Sequence, residues 1–137
     1  SERVLEIMEN VKKLKYVYDP ANYLQVGEEA DKTLSLLHKK TDYFHIKDLS
    51  ATGELVPAGC GEGKIDKLVE MLTGDKVLTL EPHLRVFEGY AGIDGTRMRH
   101  RYVYKSGDAA FDAAAEALKG LLVKAGYREK DGGFERE

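Results

Sequence analysis

Tyr43-Phe44-His45-Ile46-Lys47-Asp48 is the stretch on which the fold turns. It reads as a short strand, Tyr43 to Ile46, that ends in two charged residues. On its N-terminal side, residues 28–40 read as a helix with Ala30, Leu34 and Leu37 on one side. Before that helix, Tyr16-Val17-Tyr18 is a β-prone run closed by Asp19-Pro20. Proline cannot donate a ladder hydrogen bond, so the strand is predicted to stop there. Further out, Val4, Leu5, Met8, Val11 and Leu14 recur at three- and four-residue steps, which predicts an amphipathic helix over 2–14 with Ser1 as its capping residue.

The same alternation continues on the C-terminal side. A Gly-rich connection over 49–63 leads into a helix with Ile65, Leu68, Val69 and Leu72 on its apolar face. Val77-Leu78-Thr79-Leu80 is the next strand, closed by Glu81-Pro82-His83. Residues 85–107 give no clear pattern, although Tyr102-Val103-Tyr104 reads as a short extra strand. Asp108 is placed to cap a last helix whose core-facing residues are Phe111, Ala114, Ala115, Leu118, Leu121 and Leu122, and Gly126 ends it.

The order α-β-α-β-α-β-α implies an α/β fold of parallel strands joined by right-handed crossovers. Three parallel strands leave both edges open and need both faces covered. An eight-stranded barrel takes ~250 residues, and the 137 residues here supply about half of that. Residues 1–127 are therefore expected to be part of a (β/α)8 TIM barrel. Residues 128–137 are expected to be a charged, flexible tail. Ser1 in place of an initiator methionine, directly followed by a helical pattern, reads as a cut within a longer protein.

Composition narrows the function classes. The chain is 42% hydrophobic and 33% charged with a net charge of −3, an ordinary globular profile. A slightly acidic balance argues against nucleic-acid binding. No run approaches the ~20 apolar residues that span a membrane, and no signal peptide precedes the first helix. Cys60 is the single cysteine, so no internal disulfide forms and a reducing, cytoplasmic setting is expected.

Each strand ends in a polar residue able to bind metal: Asp19, His45 and Glu81. In a parallel barrel all strand C-termini open on one face, so three such residues can converge. Two carboxylates and an imidazole suit a divalent metal, Mn, Mg, Co or Zn. Singly, each has a plainer reading. Asp before Pro starts turns, a histidine in an apolar strand is often structural, and Glu81 can be a solvated strand end. Recurrence at three consecutive strand ends favours the metal.

Four segments resemble one family. Tyr18-Asp19-Pro20-Ala21-Asn22-Tyr23-Leu24-Gln25-Val26-Gly27, Tyr43-Phe44-His45-Ile46-Lys47-Asp48, Val56-Pro57-Ala58-Gly59 with Gly61-Glu62-Gly63, and Leu80-Glu81-Pro82-His83-Leu84 resemble, in order and spacing, blocks of the xylose isomerase-like sugar phosphate isomerases and epimerases. The resemblance covers about residues 16–84. It makes residues 1–127 the C-terminal half of the expected barrel, the last three βα units plus the helix before them. It implies a divalent metal held by Glu, Asp, His and Glu from the last four strands, of which Asp19, His45 and Glu81 carry over. The first Glu would precede Ser1. Asn22 stands where ketose 3-epimerases carry a second histidine, which weakens a strict 3-epimerase assignment.

What the resemblance implies is the C-terminal portion of a metal-dependent sugar or sugar phosphate isomerase or epimerase. It would act by proton transfer beside a carbonyl, with Glu81 as both ligand and general base. Lys47, two residues after His45, falls on the same strand face and is expected either to meet a substrate hydroxyl or phosphate or to form a salt bridge with Asp48. His83 and Asn22 join Lys47 as expected substrate-binding residues. The expected ligand is a sugar or polyol, and the expected assembly a homo-oligomer or association with a missing N-terminal half. Alternatives are a non-catalytic half-barrel that dimerises and binds a polyol or protein, an inosose-type dehydratase, and a metal-dependent hydrolase of the same superfamily. Gly59-Cys60-Gly61-Glu62-Gly63 lacks the lysine and hydroxyl of a P-loop, so no nucleotide site is expected, and Glu62 reads as a solvated loop residue. The basic stretch 97–101 reads as a solvated face, with a phosphate grip or a partner contact as the alternatives.

Overall fold

The structure, a computed structural model, describes residues 1–85 and 99–136. Its centre is a parallel sheet of three strands in the order β1-β2-β5: Val17–Tyr18, Tyr43–Ile46 and Val77–Leu80. Helices α1 (Glu2–Asn10), α3 (Ala30–Leu37), α4 (Ile65–Met71) and α5 (Gly107–Lys124) alternate with those strands. The protein is thus mixed α/β with parallel crossovers, as the hydrophobic periods require.

Strand alternation sorts the side chains onto two faces. Tyr18, Phe44 and Ile46 point into the main core with Leu34 and Leu37 from α3, Ile65, Leu68 and Val69 from α4, and Leu118 and Leu122 from α5. Val4 and Leu5 of α1 and Leu78 of β5 pack on the same cluster. The opposite face carries Val17, Tyr43 and Val77, which are 38%, 36% and 57% exposed. A second, smaller core at the C-terminal end of the strands joins Ala21, Leu49, Leu55, Leu84, Ala110 and Ala114.

Several local details differ from the sequence expectation. Helix α1 ends at Asn10 with Val11 extended, and Lys13 has φ 74, so Val11 and Leu14 lie outside it. Ser1 gives no side-chain cap to α1, because its hydroxyl donates to the Glu28 carboxylate instead. Pro20 does more than end β1: it occupies the first turn of a short helix, α2 (Pro20–Gln25), where its missing N–H costs nothing. Residues 38–40 are a 3-10 turn continuing α3. The Gly-rich connection holds a small antiparallel pair, β3 (Asp48–Leu49) with β4 (Leu55–Val56).

Helix α5 is capped by Ser106, whose hydroxyl oxygen accepts from the Ala109 N–H at 3.0 Å, while Asp108 sits in the first turn, favourably placed for the helix dipole. Its buried stripe is Ala110, Ala114, Leu118 and Leu122, and Phe111 is 54% exposed. The four-residue step from Ala110 sets that stripe and turns Phe111 away. Tyr102, Val103 and Tyr104 form no strand; a single bridge joins Leu55 to His100. Part of the basic stretch 97–101 and most of 85–107 lie outside the described residues. The segment read as a flexible tail forms a hairpin, β6 (Arg128–Lys130) with β7 (Gly133–Glu135). Asp131 and Gly132 both take positive φ, 50° and 80°, the two-residue turn whose twist matches such strands. No helix among the described residues is long and apolar enough to cross a membrane.

Candidate metal centre

Register brings the three strand ends together. Val17 pairs with Tyr43 and Tyr18 with Phe44, so Asp19 comes level with His45. His45 in turn pairs with Thr79, so Glu81 follows two residues on, level with Lys47. The Glu81 N–H donates to the Ile46 carbonyl at 3.2 Å, which holds that register past the end of the strand. Asp19, His45 and Glu81 each present one ligand atom, and these atoms all lie within 4.8 Å of one another.

Each member has a defined local anchor. Asp19 is the N-cap of α2, and its Oδ1 accepts from the Asn22 N–H at 3.2 Å. Turn-starter and ligand are therefore compatible roles, because they use different oxygens. Asp19 Oδ2 is buried and accepts no hydrogen bond. The Lys47 Nζ lies 2.9 Å from it; the distance is that of an ion pair, and it is the alignment that falls short of a hydrogen bond. His45 Nδ1 is 2.7 Å from Glu81 Oε2, and its ring meets Tyr43 edge-on at 5.3 Å. Glu81 Oε1 is 3.1 Å from His83 Nε2.

Charge follows this geometry. Partial burial opposes ionisation of Glu81, but the His83 hydrogen bond and the nearby Lys47 and His45 outweigh it and hold the carboxyl below its ordinary value. Glu81 is therefore ionised at neutral pH, and Lys47, 7% exposed, is a buried cation between two carboxylates.

Of the expected substrate-binding residues, Lys47 and His83 stand beside the triad. Asn22 supplies its backbone N–H to Asp19 and is itself exposed. Lys47 does not pair with Asp48. That aspartate turns the other way and is bound by the Gly-rich loop, accepting N–H bonds from Leu49 (2.9 Å), Gly59 (2.9 Å), Gly61 (3.0 Å) and Gly63 (2.8 Å). Burial pushes its carboxyl up, and those four donors oppose the rise.

The loop is thus an anion cradle, but for an internal carboxylate. A Cβ on Gly61 would stand 2.2 Å from the Leu49 carbonyl oxygen and 2.4 Å from Asp48 Oδ1, so only glycine fits. Sequence reasoning missed this keystone. Its signal was the glycine at every second position of the loop, which offers a run of N–H groups to one anion. Glu62 is exposed, 3.8 Å from Lys64, and Cys60 is an exposed free thiol.

The chemistry does not coincide with an apolar cavity. A cavity of about 480 Å³ opens at the N-terminal end of β5, lined by Leu72, Leu78, Leu118, Leu122, Tyr127 and Phe134 among others. It holds none of the triad, and we place the site at the opposite strand ends because that is where the ionisable groups converge. Comparison with known proteins adds no assignment: no protein-family model, curated protein or solved structure matches the chain.

Proposed function

We propose that this chain is the C-terminal portion of a divalent-metal-dependent sugar or sugar phosphate isomerase or epimerase, built as the second half of a (β/α)8 barrel. The observation that carries the reading is the meeting of Asp19, His45 and Glu81 within 4.8 Å at the ends of three consecutive parallel strands. The donor set, two carboxylates and one imidazole, fits Mn, Mg, Co or Zn. Asp19 Oδ2 is buried, accepts no hydrogen bond and already faces a cation, the Lys47 ammonium 2.9 Å away, so its surroundings suit positive charge. Helices on one face of the sheet and polar strand ends on the other are what a barrel wall requires.

Bound there, a divalent ion would act as a Lewis acid on a carbonyl oxygen. Glu81, ionised and steadied through Oε1 by His83, would take the proton from the carbon beside that carbonyl and return it to the neighbouring carbon on the same face, as in an isomerase. In an epimerase a second acid on the opposite face, the Glu expected before Ser1, would deliver the proton there. Lys47 is placed to meet an anionic or hydroxyl oxygen of the sugar. Asp19 and His45 act as ligands. Deuterium exchange tests the reaction: in D2O with Mn2+, the parent protein incorporates solvent deuterium beside the carbonyl of a sugar or sugar phosphate, and Glu81→Gln abolishes it. A panel of aldoses, ketoses and their phosphates without incorporation contradicts the reading. The parent should also carry about five further βα units, with a Glu ending the strand before Ser1.

A second reading, a non-catalytic half-barrel that dimerises, draws on the exposed Val17, Tyr43 and Val77 and on the edge strands β1 and β5. Sedimentation velocity separates the two: a stable, specific dimer supports it, and a monomer or mixed aggregates speak against it.

A further inference from the structure

Resting on the metal-site reading above, we infer that Lys47 is a resident counter-cation that occupies the cation position at Asp19, and that metal binding requires its ammonium to swing away. Asp19 has one oxygen to give. Its Oδ1 is committed to the Asn22 N–H that starts α2, leaving Oδ2 as the free ligand atom. The Lys47 ammonium already sits 2.9 Å from that oxygen and 3.8 Å from Glu81 Oε2, the oxygen that also faces His45. Two carboxylates with ligand atoms within 4.8 Å of each other repel, the more so because Asp19 is buried and Glu81 half-buried. In the metal-free protein Lys47 is the group among the described residues that compensates Asp19.

A divalent ion seeking the same oxygen meets both an occupied position and a like charge. Lysine suits the role, being a point charge on a flexible four-carbon stem. Asp48 pins the backbone next to it, so the side chain alone does the moving. The chain therefore holds a folded, charge-balanced site before metal arrives, at the cost of affinity. Once displaced, the same ammonium is released toward a substrate oxygen.

Manganese titration followed by the electron paramagnetic resonance signal of free Mn2+ tests this. Lys47→Met is expected to bind at least about tenfold tighter than wild type, because the lysine-out state no longer has to be selected. Lys47→Arg, which keeps the charge, gains nothing. Equal or weaker binding by Lys47→Met, with wild type binding normally, overturns the inference and leaves the metal site standing. No binding by wild type or either variant removes the metal site and this inference together.

Should Lys47→Met fail to fold, the wild type decides. Side-chain 15N resonances of the Lys47 ammonium are expected in the metal-free protein and lost to fast solvent exchange on adding Zn2+. A Lys47 signal that persists unchanged while His45 shifts with Zn2+ overturns it.

Discussion

The two faces of the small sheet obey different rules. On one, Tyr18, Phe44, Ile46 and Leu78 interlock with α1, α3, α4 and α5, and the Tyr18 and Thr33 hydroxyls that enter are hydrogen-bonded. The Tyr18 hydroxyl meets Thr33 Oγ1 at 2.9 Å, and Thr33 donates onward to the Ala30 carbonyl at 3.1 Å. The other face exposes Val17, Tyr43 and Val77, and at its strand ends gathers Asp19, His45, Lys47 and Glu81 with a buried oxygen left unbonded. Stability is built on the first face, while the second carries charge that would destabilise an ordinary core. The contrast teaches that the site is supported from behind, by packing and by the Asp48 cradle, rather than by the groups that compose it.

The sharpest way to break this comparison is Phe44→Ala against Val77→Ser. The first should cost about 3–5 kcal/mol in urea unfolding, the second about 0.5 kcal/mol or less. Comparable losses would mean that the two faces are equally packed. Next comes Gly61→Ala, which drives a methyl into the Leu49 carbonyl and the Asp48 carboxylate. It should lose on the order of 2–3 kcal/mol, and an unchanged denaturation midpoint would remove the cradle from the account.

Tyr18→Phe is milder, about 1 kcal/mol at neutral pH, since Thr33 keeps its bond to Ala30. Burial pushes the Tyr18 hydroxyl up to about 12 from its ordinary 10.0. The unfolded chain therefore loses that proton first, and wild-type stability falls as pH rises from about 10 toward 12. The gap between wild type and Tyr18→Phe should shrink over that window, and parallel pH curves would speak against it.

The smallest effect belongs to Asp42, an exposed carboxylate at the start of β2. Hydrogen bonds from Lys76 (2.6 Å) and Lys15 (3.3 Å) hold it below its ordinary value. Its contribution is present above the unfolded value and lost as pH falls through the lowered one. Asp42→Asn should shift the melting temperature only slightly at pH 7 and not at all in strong acid; a shift that persists in acid is the contrary result.

Much of this was legible in the sequence, for physical reasons. Strong periodicity at Leu34, Leu37, Ile65, Leu68, Leu118 and Leu122 placed three helices and their buried stripes. Strand ends at Asp19, His45 and Glu81 announced the triad, since parallel topology sends such ends to one place. What escaped depends on tertiary partners. Asp48 is an ordinary strand-end aspartate until Gly59, Gly61 and Gly63 fold back on it. Lys47 looks equally able to pair with its neighbour, and only the direction of the strand end sends it to Asp19. The α2 helix was hidden because Pro20 marks a strand end and a helix start alike. The Asp131-Gly132 turn was hidden by the charge of the segment around it.

The central claim, that Asp19, His45 and Glu81 hold one divalent cation, is tested most directly by cobalt absorption spectroscopy. Titrating Co2+ should raise visible d–d bands that saturate at one equivalent in the wild type and are lost in Asp19→Asn, His45→Ala and Glu81→Gln. A spectrum indistinguishable from aqueous cobalt, or bands that survive all three substitutions, would contradict it.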